Sequence, residues 1–219
     1  MAIFEKLTPA ERARQLGNPE GEVGIAVADW LNETNKAANA KTVALLGVIA
    51  GDHVLEIGFG NGRIAPHVIG QAADVRNTGI DISPTMVAEA SRFNAALVAA
   101  GKASFHLSSA EHMPFNDRTF DRVFSIGVIH FCAEPDASLV EVHRVMRSGG
   151  LMVMGCLAPK DPSDFAQPEY GVHLRNAAAW DALCRGAGFV TVNVETLQFE
   201  QITPNGPTKR HTIRVAARA

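Results

Sequence analysis

Nine residues constrain this chain more than any others: Val54-Leu55-Glu56-Ile57-Gly58-Phe59-Gly60-Asn61-Gly62, an apolar strand running into a loop with glycine at alternate positions. Such a loop lets the backbone pass closer to a ligand than any Cβ would allow. Arg63 to Ile69 then reads as the first turns of a helix. A strand-to-helix junction leaves backbone N–H groups unpaired, and these suit a carboxylate or a phosphate. The following sequence keeps the same alternation, with strands expected near 53–57, 76–82, 103–107, 120–126 and 151–156, and helices near 62–70, 84–100 and 135–147. That order makes a parallel sheet with helices on both faces.

The loop also says which ligand it suits. A dinucleotide site needs G-x-G-x-x-G, whose third glycine lets the helix pack on the sheet. Here the third glycine comes one residue early, and position 63 is Arg. Glu56 would repel a pyrophosphate but attract an ammonium group, and S-adenosylmethionine carries an ammonium and a carboxylate at one end. Thr78-Gly79-Ile80-Asp81-Ile82 is a second apolar strand ending in an acid. That acid, about 20 residues beyond the loop, is placed to accept both hydroxyls of a ribose. Ser83-Pro84 starts a helix, with Met86 and Val87 as an apolar wall for an adenine. Ser108-Ser109-Ala110-Glu111 follows the next strand, where a backbone N–H and an acceptor would read the adenine edge.

With these residues the chain resembles the class I S-adenosylmethionine-dependent methyltransferases, in particular the small-molecule group that includes the ubiquinone/menaquinone-type enzymes. The resemblance covers about residues 40–157. It rests on Val54 to Gly62, on Gly79 to Ser83, on Ala110-Glu111-His112-Met113-Pro114-Phe115 with Phe120 to Ser125, and on Glu141 to Gly150. The glycine motif alone is weak; four motifs in one order are specific. The family's Lys-Pro-Gly-Gly turn is Arg147-Ser148-Gly149-Gly150 here, a departure confined to a turn. The resemblance implies a Rossmann-like doubly wound sheet and S-adenosylmethionine as cofactor. The cofactor-binding residues on this reading are Glu56, Gly58, Phe59, Gly60, Asn61, Asp81, Ile82, Met86, Ser109, Ala110, Glu111, Ser125 and Ile126.

Flanking segments complete the expected architecture. Thr8-Pro9-Ala10-Glu11 is a capping box opening a short helix that Gly17-Asn18-Pro19 stops. Val23, Val27, Trp30, Leu31 and Thr34 recur at helical spacing, and a third helix is expected through 41–49. Residues 1–50 are thus an N-terminal helical cap, 51–157 the cofactor-binding core, and 158–174 a Pro-rich lid and substrate segment. Residues 175–219 hold the last helix and a terminal hairpin, with Pro204-Asn205-Gly206-Pro207 as its turn and strands near 189–197 and 211–216. The whole is expected to be one methyltransferase domain, mostly parallel with an antiparallel hairpin.

At 219 residues and 47% hydrophobic residues the chain can bury a full core. A net charge of −3 and a pI near 6.2 give no footprint for nucleic acid or anionic membrane. No apolar run reaches membrane-spanning length and no secretory signal opens the chain, so no stable membrane insertion and a cytoplasmic location are expected. Cys132, Cys156 and Cys184 are odd in number and widely spaced, against both a disulfide framework and a zinc site; no metal is expected.

The cofactor's methyl group is already activated, so the protein's main task is alignment, worth up to about 7–11 kcal/mol. His130, just past the fourth strand, is the best candidate general base, set against the structural alternative of a ring packed beside the cofactor. Trp30, Asn35, Tyr170 and His173 are the candidate substrate residues, with helix packing the alternative for Trp30. His112 and His106 read as packing residues, and Cys132 as a small apolar one. The leading function is methyl transfer to a small organic acceptor by direct in-line displacement, in a monomer or homodimer without nucleic-acid partners. The alternative from another class is a noncatalytic S-adenosylmethionine-binding sensor or partner subunit. A nicotinamide oxidoreductase is disfavoured by the early third glycine and the terminal hairpin.

Overall fold

The computed structural model describes residues 2–132, 134–159, 162–203 and 206–219. Five strands, His53–Ile57 (β1), Arg76–Asp81 (β2), Ala103–Leu107 (β3), Phe120–Ile126 (β4) and Met146–Leu157 (β5), lie parallel. Each successive pair is separated by enough chain for a crossover, which parallel pairing requires. Thr191–Thr203 (β6) and Gly206–Arg218 (β7) form an antiparallel hairpin, and β7 inserts beside β5. The sheet order is β3-β2-β1-β4-β5-β7-β6. It reverses direction between β1 and β4, which opens a crevice at their carboxyl ends where such sheets bind ligands.

Among the described residues eight α-helices flank the sheet: Ala2–Lys6 (α1), Pro9–Gly17 (α2), Gly21–Leu45 (α3), Ala65–Ile69 (α4), Pro84–Phe93 (α5), Ala95–Ala99 (α6), Pro135–Val145 (α7) and Ala177–Gly186 (α8). Neighbouring strand residues point to opposite faces, and the core divides accordingly. Leu55, Val123 and Met152 pack with Leu139, Val142, Trp180 and Cys184 of α7 and α8. Val54, Phe124 and Val153, one residue along, pack with Val43, Leu46 and Val68 beside α3 and α4.

Two helix expectations are corrected. The stretches around 23–34 and 41–49 are one 25-residue helix, α3, because 35–40 holds no Gly or Pro to interrupt it. The span 84–100 is two helices that meet at Asn94, whose Nδ2 donates to the carbonyls of Gly62 and Ala90, both at 3.0 Å. The capping box forms as expected, with Glu11 receiving the Thr8 N–H at 2.8 Å and Glu11 N donating to Thr8 Oγ1 at 3.3 Å. Residues 204 and 205 of the expected Asn-Gly turn lie outside the described residues. Among the described residues no helix is long and apolar enough to cross a membrane.

Candidate functional site

The three loop glycines have left-handed backbone and separate tasks. A Cβ on Gly58 (φ 71°) would stand 2.3 Å from Val128 Cγ2, and one on Gly62 (φ 73°) 2.7 Å from Ala90 Cβ. Both positions are closed by the protein itself. At Gly60 (φ 56°) a Cβ would meet no protein atom within 4 Å. The open side of the loop is therefore at Gly60, whose N–H donates to Asp81 Oδ2 at 3.0 Å.

Asp81 is 7% exposed, and its other oxygen accepts the Ser83 N–H at 2.9 Å. Burial raises its pKa, opposed by the N–H groups of Ser83, Gly60 and Ile82. Two backbone bonds leave carboxylate lone pairs for further donors. Ile82, next in sequence, is 51% exposed and supplies an apolar surface beside the acid.

Several of the expected contact residues are buried. Glu56 is 2% exposed, with Asn77 Nδ2 donating to Oε2 at 3.4 Å, and desolvation pushes its pKa up to about 8. Strand alternation turns it to the same face as Val54, on the α3 side of the sheet. Phe59 folds down onto Gly79, where an added Cβ would stand 2.5 Å from Phe59 Cδ1, and meets Phe105 edge-on at 4.9 Å. Met86 is fully buried with Phe59, Ala28 and Ala90, so it supports the site from beneath instead of lining it.

The patch after β3 turns toward the opposite face. Ala110 packs in the core with Met113, and Glu111 Oε1 accepts from Ser138 Oγ of α7 at 3.2 Å. Ser109 is partly buried. Glu111 thus also lines a groove between α7 and α8, away from Asp81.

At the end of β4, Ser125 is 2% exposed and its Oγ has no hydrogen-bond partner, while Ile126 packs against the α3-side core. His130 lies in a 3-10 turn, 3% exposed, its Nδ1 also unpartnered. Burial, and then the charge of Arg210, bring its pKa down to about 3. His130 is therefore neutral at ordinary pH and a weaker proton acceptor than an imidazole titrating near the expected 6.5.

The N-terminal helices and the segment before α8 pack on one another. Ala13 of α2 sits with Ala166 and Val172, flanked by Phe131, Tyr170 and Leu174. Arg12 pairs with Asp164 at 2.8 Å, and Phe4 meets Phe165 at 6.5 Å. His173 reaches the site through its backbone N–H, which donates to the His130 carbonyl at 2.7 Å. Trp30 stacks on Phe4 at 4.2 Å, which makes it a packing residue between helices. Asn35 is partly buried on α3, but the α3 side chains that reach the glycine loop are Asp29 and Asn32. Sequence reasoning reached Asn32, which shares a helix with Trp30 and Asn35 able to close over the methionine end, but missed Asp29 and the part played by Arg63; the available signal was two polar residues three apart on a helix. A cavity of about 680 Å³ lies between α3 and the start of α4, lined by residues of both charges, including Asp29, Glu33, Lys36 and Arg63.

Comparison with known proteins fits this geometry. Residues 55–154 match the model of the methyltransferase domain family. The chain is 31% identical over 114 residues to an O-methyltransferase of Aspergillus sclerotiorum, an alignment covering 52% of this chain and 43% of that protein. It is 26% identical over 179 residues to the malonyl-[acyl-carrier protein] O-methyltransferase of a Marinomonas species, covering 80% and 65%. The fold superposes with a TM-score of 0.77 on Haemonchus contortus phosphoethanolamine N-methyltransferase 2 in complex with S-adenosylmethionine, at 16% identity over 97% of this chain and 60% of that one. The chain spans less than two thirds of the length of the first curated relatives it matches.

Proposed function

On the premise that this chain belongs, through residues 55–154, to the class I S-adenosylmethionine-dependent methyltransferases, we propose that it methylates a small organic acceptor by direct in-line displacement. The observation that carries this reading is the unit made by Gly60 and Asp81, open on one side at the carboxyl ends of β1 and β2. The residues fit the cofactor there. Gly60 leaves a space that a Cβ would occupy, Asp81 has lone pairs for a pair of ribose hydroxyls, and Ile82 offers its exposed face to the adenine. S-adenosylmethionine, when bound, supplies a methyl group already activated by its sulfonium.

The chain's own contribution is then alignment and exclusion of water. The N-terminal helices (1–50) act as a cap, 158–174 as a lid, and their mutual packing closes the acceptor side. Neutral His130, with Nδ1 unpartnered, orients the acceptor; the acceptor attacks through a lone pair, and any proton it carries leaves to solvent after the transfer. The reading is tested by calorimetry with S-adenosylhomocysteine against NAD, followed by mass detection of methylated products from an acceptor library. Binding without any product across a broad library would favour a noncatalytic sensor. Binding of NAD alone would overturn the reading.

A further inference from the structure

Asn61, at the middle of the glycine loop, is 2% exposed. A buried primary amide is costly unless both its ends are hydrogen-bonded. One helix serves both: Asn61 Nδ2 donates to Asp29 Oδ1 at 2.8 Å, and Asn61 Oδ1 accepts from Asn32 Nδ2 at 2.7 Å. Asp29 and Asn32 stand three residues apart on α3 and so share a face. Arg63 approaches the same Asp29 oxygen at 3.5 Å while its guanidinium stacks over Phe93 at 3.7 Å, which ties α5 into the cluster.

The other end of α3 bears on the rest of the site. Ser83 Oγ donates to the Pro19 carbonyl and Gly21 N–H to Thr85 Oγ1 at 3.2 Å, so the turn before α3 rests on the start of α5, next to Asp81. The α2 helix beyond that turn packs on 163–174. The glycine loop and the acceptor-side segment are therefore linked through α3 and, across the turn that precedes it, α2.

We propose that Asp29 and Asn32 are positioning residues that act through Asn61: α3 docking fixes the glycine loop in its cofactor-holding form, and cofactor binding in turn holds the cap over the acceptor side. This rests on the methyltransferase reading above. Reciprocity follows from linkage, since whatever strengthens loop binding when α3 is docked must strengthen docking when the loop is occupied. Exposed polar contacts that merely hold a helix down would affect stability without this coupling.

The test measures S-adenosylhomocysteine affinity by calorimetry and hydrogen exchange of residues 9–17 and 163–174, in the wild type and four variants. Asp29→Ala should weaken binding about tenfold and Asn61→Ala, which loses the Asn32 bond as well, at least as much; the double variant should be no worse than Asn61→Ala, which already lacks the Asp29 contact. Asp29→Asn, which keeps an oxygen for Asn61 Nδ2, should bind within about threefold of the wild type. Ligand should slow exchange in both segments in the wild type and Asp29→Asn, but not in Asp29→Ala. Should Asn61→Ala fail to fold, the Asp29 pair carries the test, since that side chain is half exposed. Wild-type affinity and intact remote protection in Asp29→Ala would overturn the proposal. Failure of the wild type itself to bind the ligand would instead defeat the methyltransferase reading.

Discussion

Gly60 donates its backbone N–H to Asp81 Oδ2 across 3.0 Å, which joins the glycine loop to the end of the neighbouring strand before any ligand arrives. The acid is thereby oriented in advance, and ligand hydroxyls need only fill its remaining lone pairs. Hydrogen bonds to charged groups contribute about 1.5–3 kcal/mol each. Asp81→Ala should therefore weaken S-adenosylhomocysteine binding by at least about tenfold, one decade corresponding to 1.4 kcal/mol. Asp81→Asn, which keeps one acceptor oxygen, should fall between. Calorimetry on folded variants checks both, and unchanged affinity in Asp81→Ala would remove the ribose from this carboxylate.

The loop glycines should separate stability from binding. An alanine in the left-handed region costs about 1–2 kcal/mol. At Gly60 that is the whole cost, about 2–8 °C in Tm at about 2–4 °C per kcal/mol for a chain of this size. Gly58→Ala adds the collision with Val128, overpacking of about 1–3 kcal/mol, and should melt clearly lower. Gly60→Ala should nevertheless lose cofactor binding, since its methyl enters the open side of the loop. Thermal melts with and without S-adenosylhomocysteine distinguish the two; a ligand-stabilised Gly60→Ala would mean that the loop faces something else.

Glu56 offers a pH signature. Its pKa in the fold, about 8, lies above the ordinary 4.5, so folding favours the protonated form. Its contribution to stability is complete below about 4.5 and is lost as pH rises through about 8. Glu56→Gln, neutral at every pH, should raise Tm at pH 9 by several degrees and change it little at pH 5. Melts across that range check the slope; equal differences at both ends would mean that Glu56 is ionised and compensated in the fold.

The fold was legible in this sequence because apolar strand runs, capping residues and glycines are local signals. The position of Asp81 was legible for the same reason, as an acid ending a strand at a fixed distance from the loop. The burial of Glu56 was not foreseen because strand alternation, which turns it to the face of Val54, was not applied to a residue so close to the loop. The Asp29–Asn61 contact joins residues 32 apart with no shared pattern, and only the docking of α3 brings them together. The burial of His130 likewise depends on the backbone of His173, contributed by a segment more than 40 residues downstream.

His130 separates proton transfer from alignment. With a pKa of about 3 it is neutral throughout the range from pH 5 to 8, so it should give no inflection near 6.5 in the rate. Its Nδ1 is a buried acceptor, and Asn presents an oxygen at nearly the same place. His130→Asn should therefore retain most turnover, whereas His130→Ala should lose it without a change in the shape of the pH profile. A general base would behave otherwise, since either variant would cost about a hundredfold or more and erase a pH step. Stability supplies an independent readout. A His whose folded pKa is depressed contributes stability that is present above about 6.5 and lost as pH falls toward about 3. The wild type should then lose more stability than His130→Asn between pH 7 and pH 4.5, with His53, also lowered by burial, adding the same slope to both proteins. An inflection near 6.5 that vanishes in His130→Asn would return the residue to catalysis as a base and require the turn at 129–131 to open during turnover.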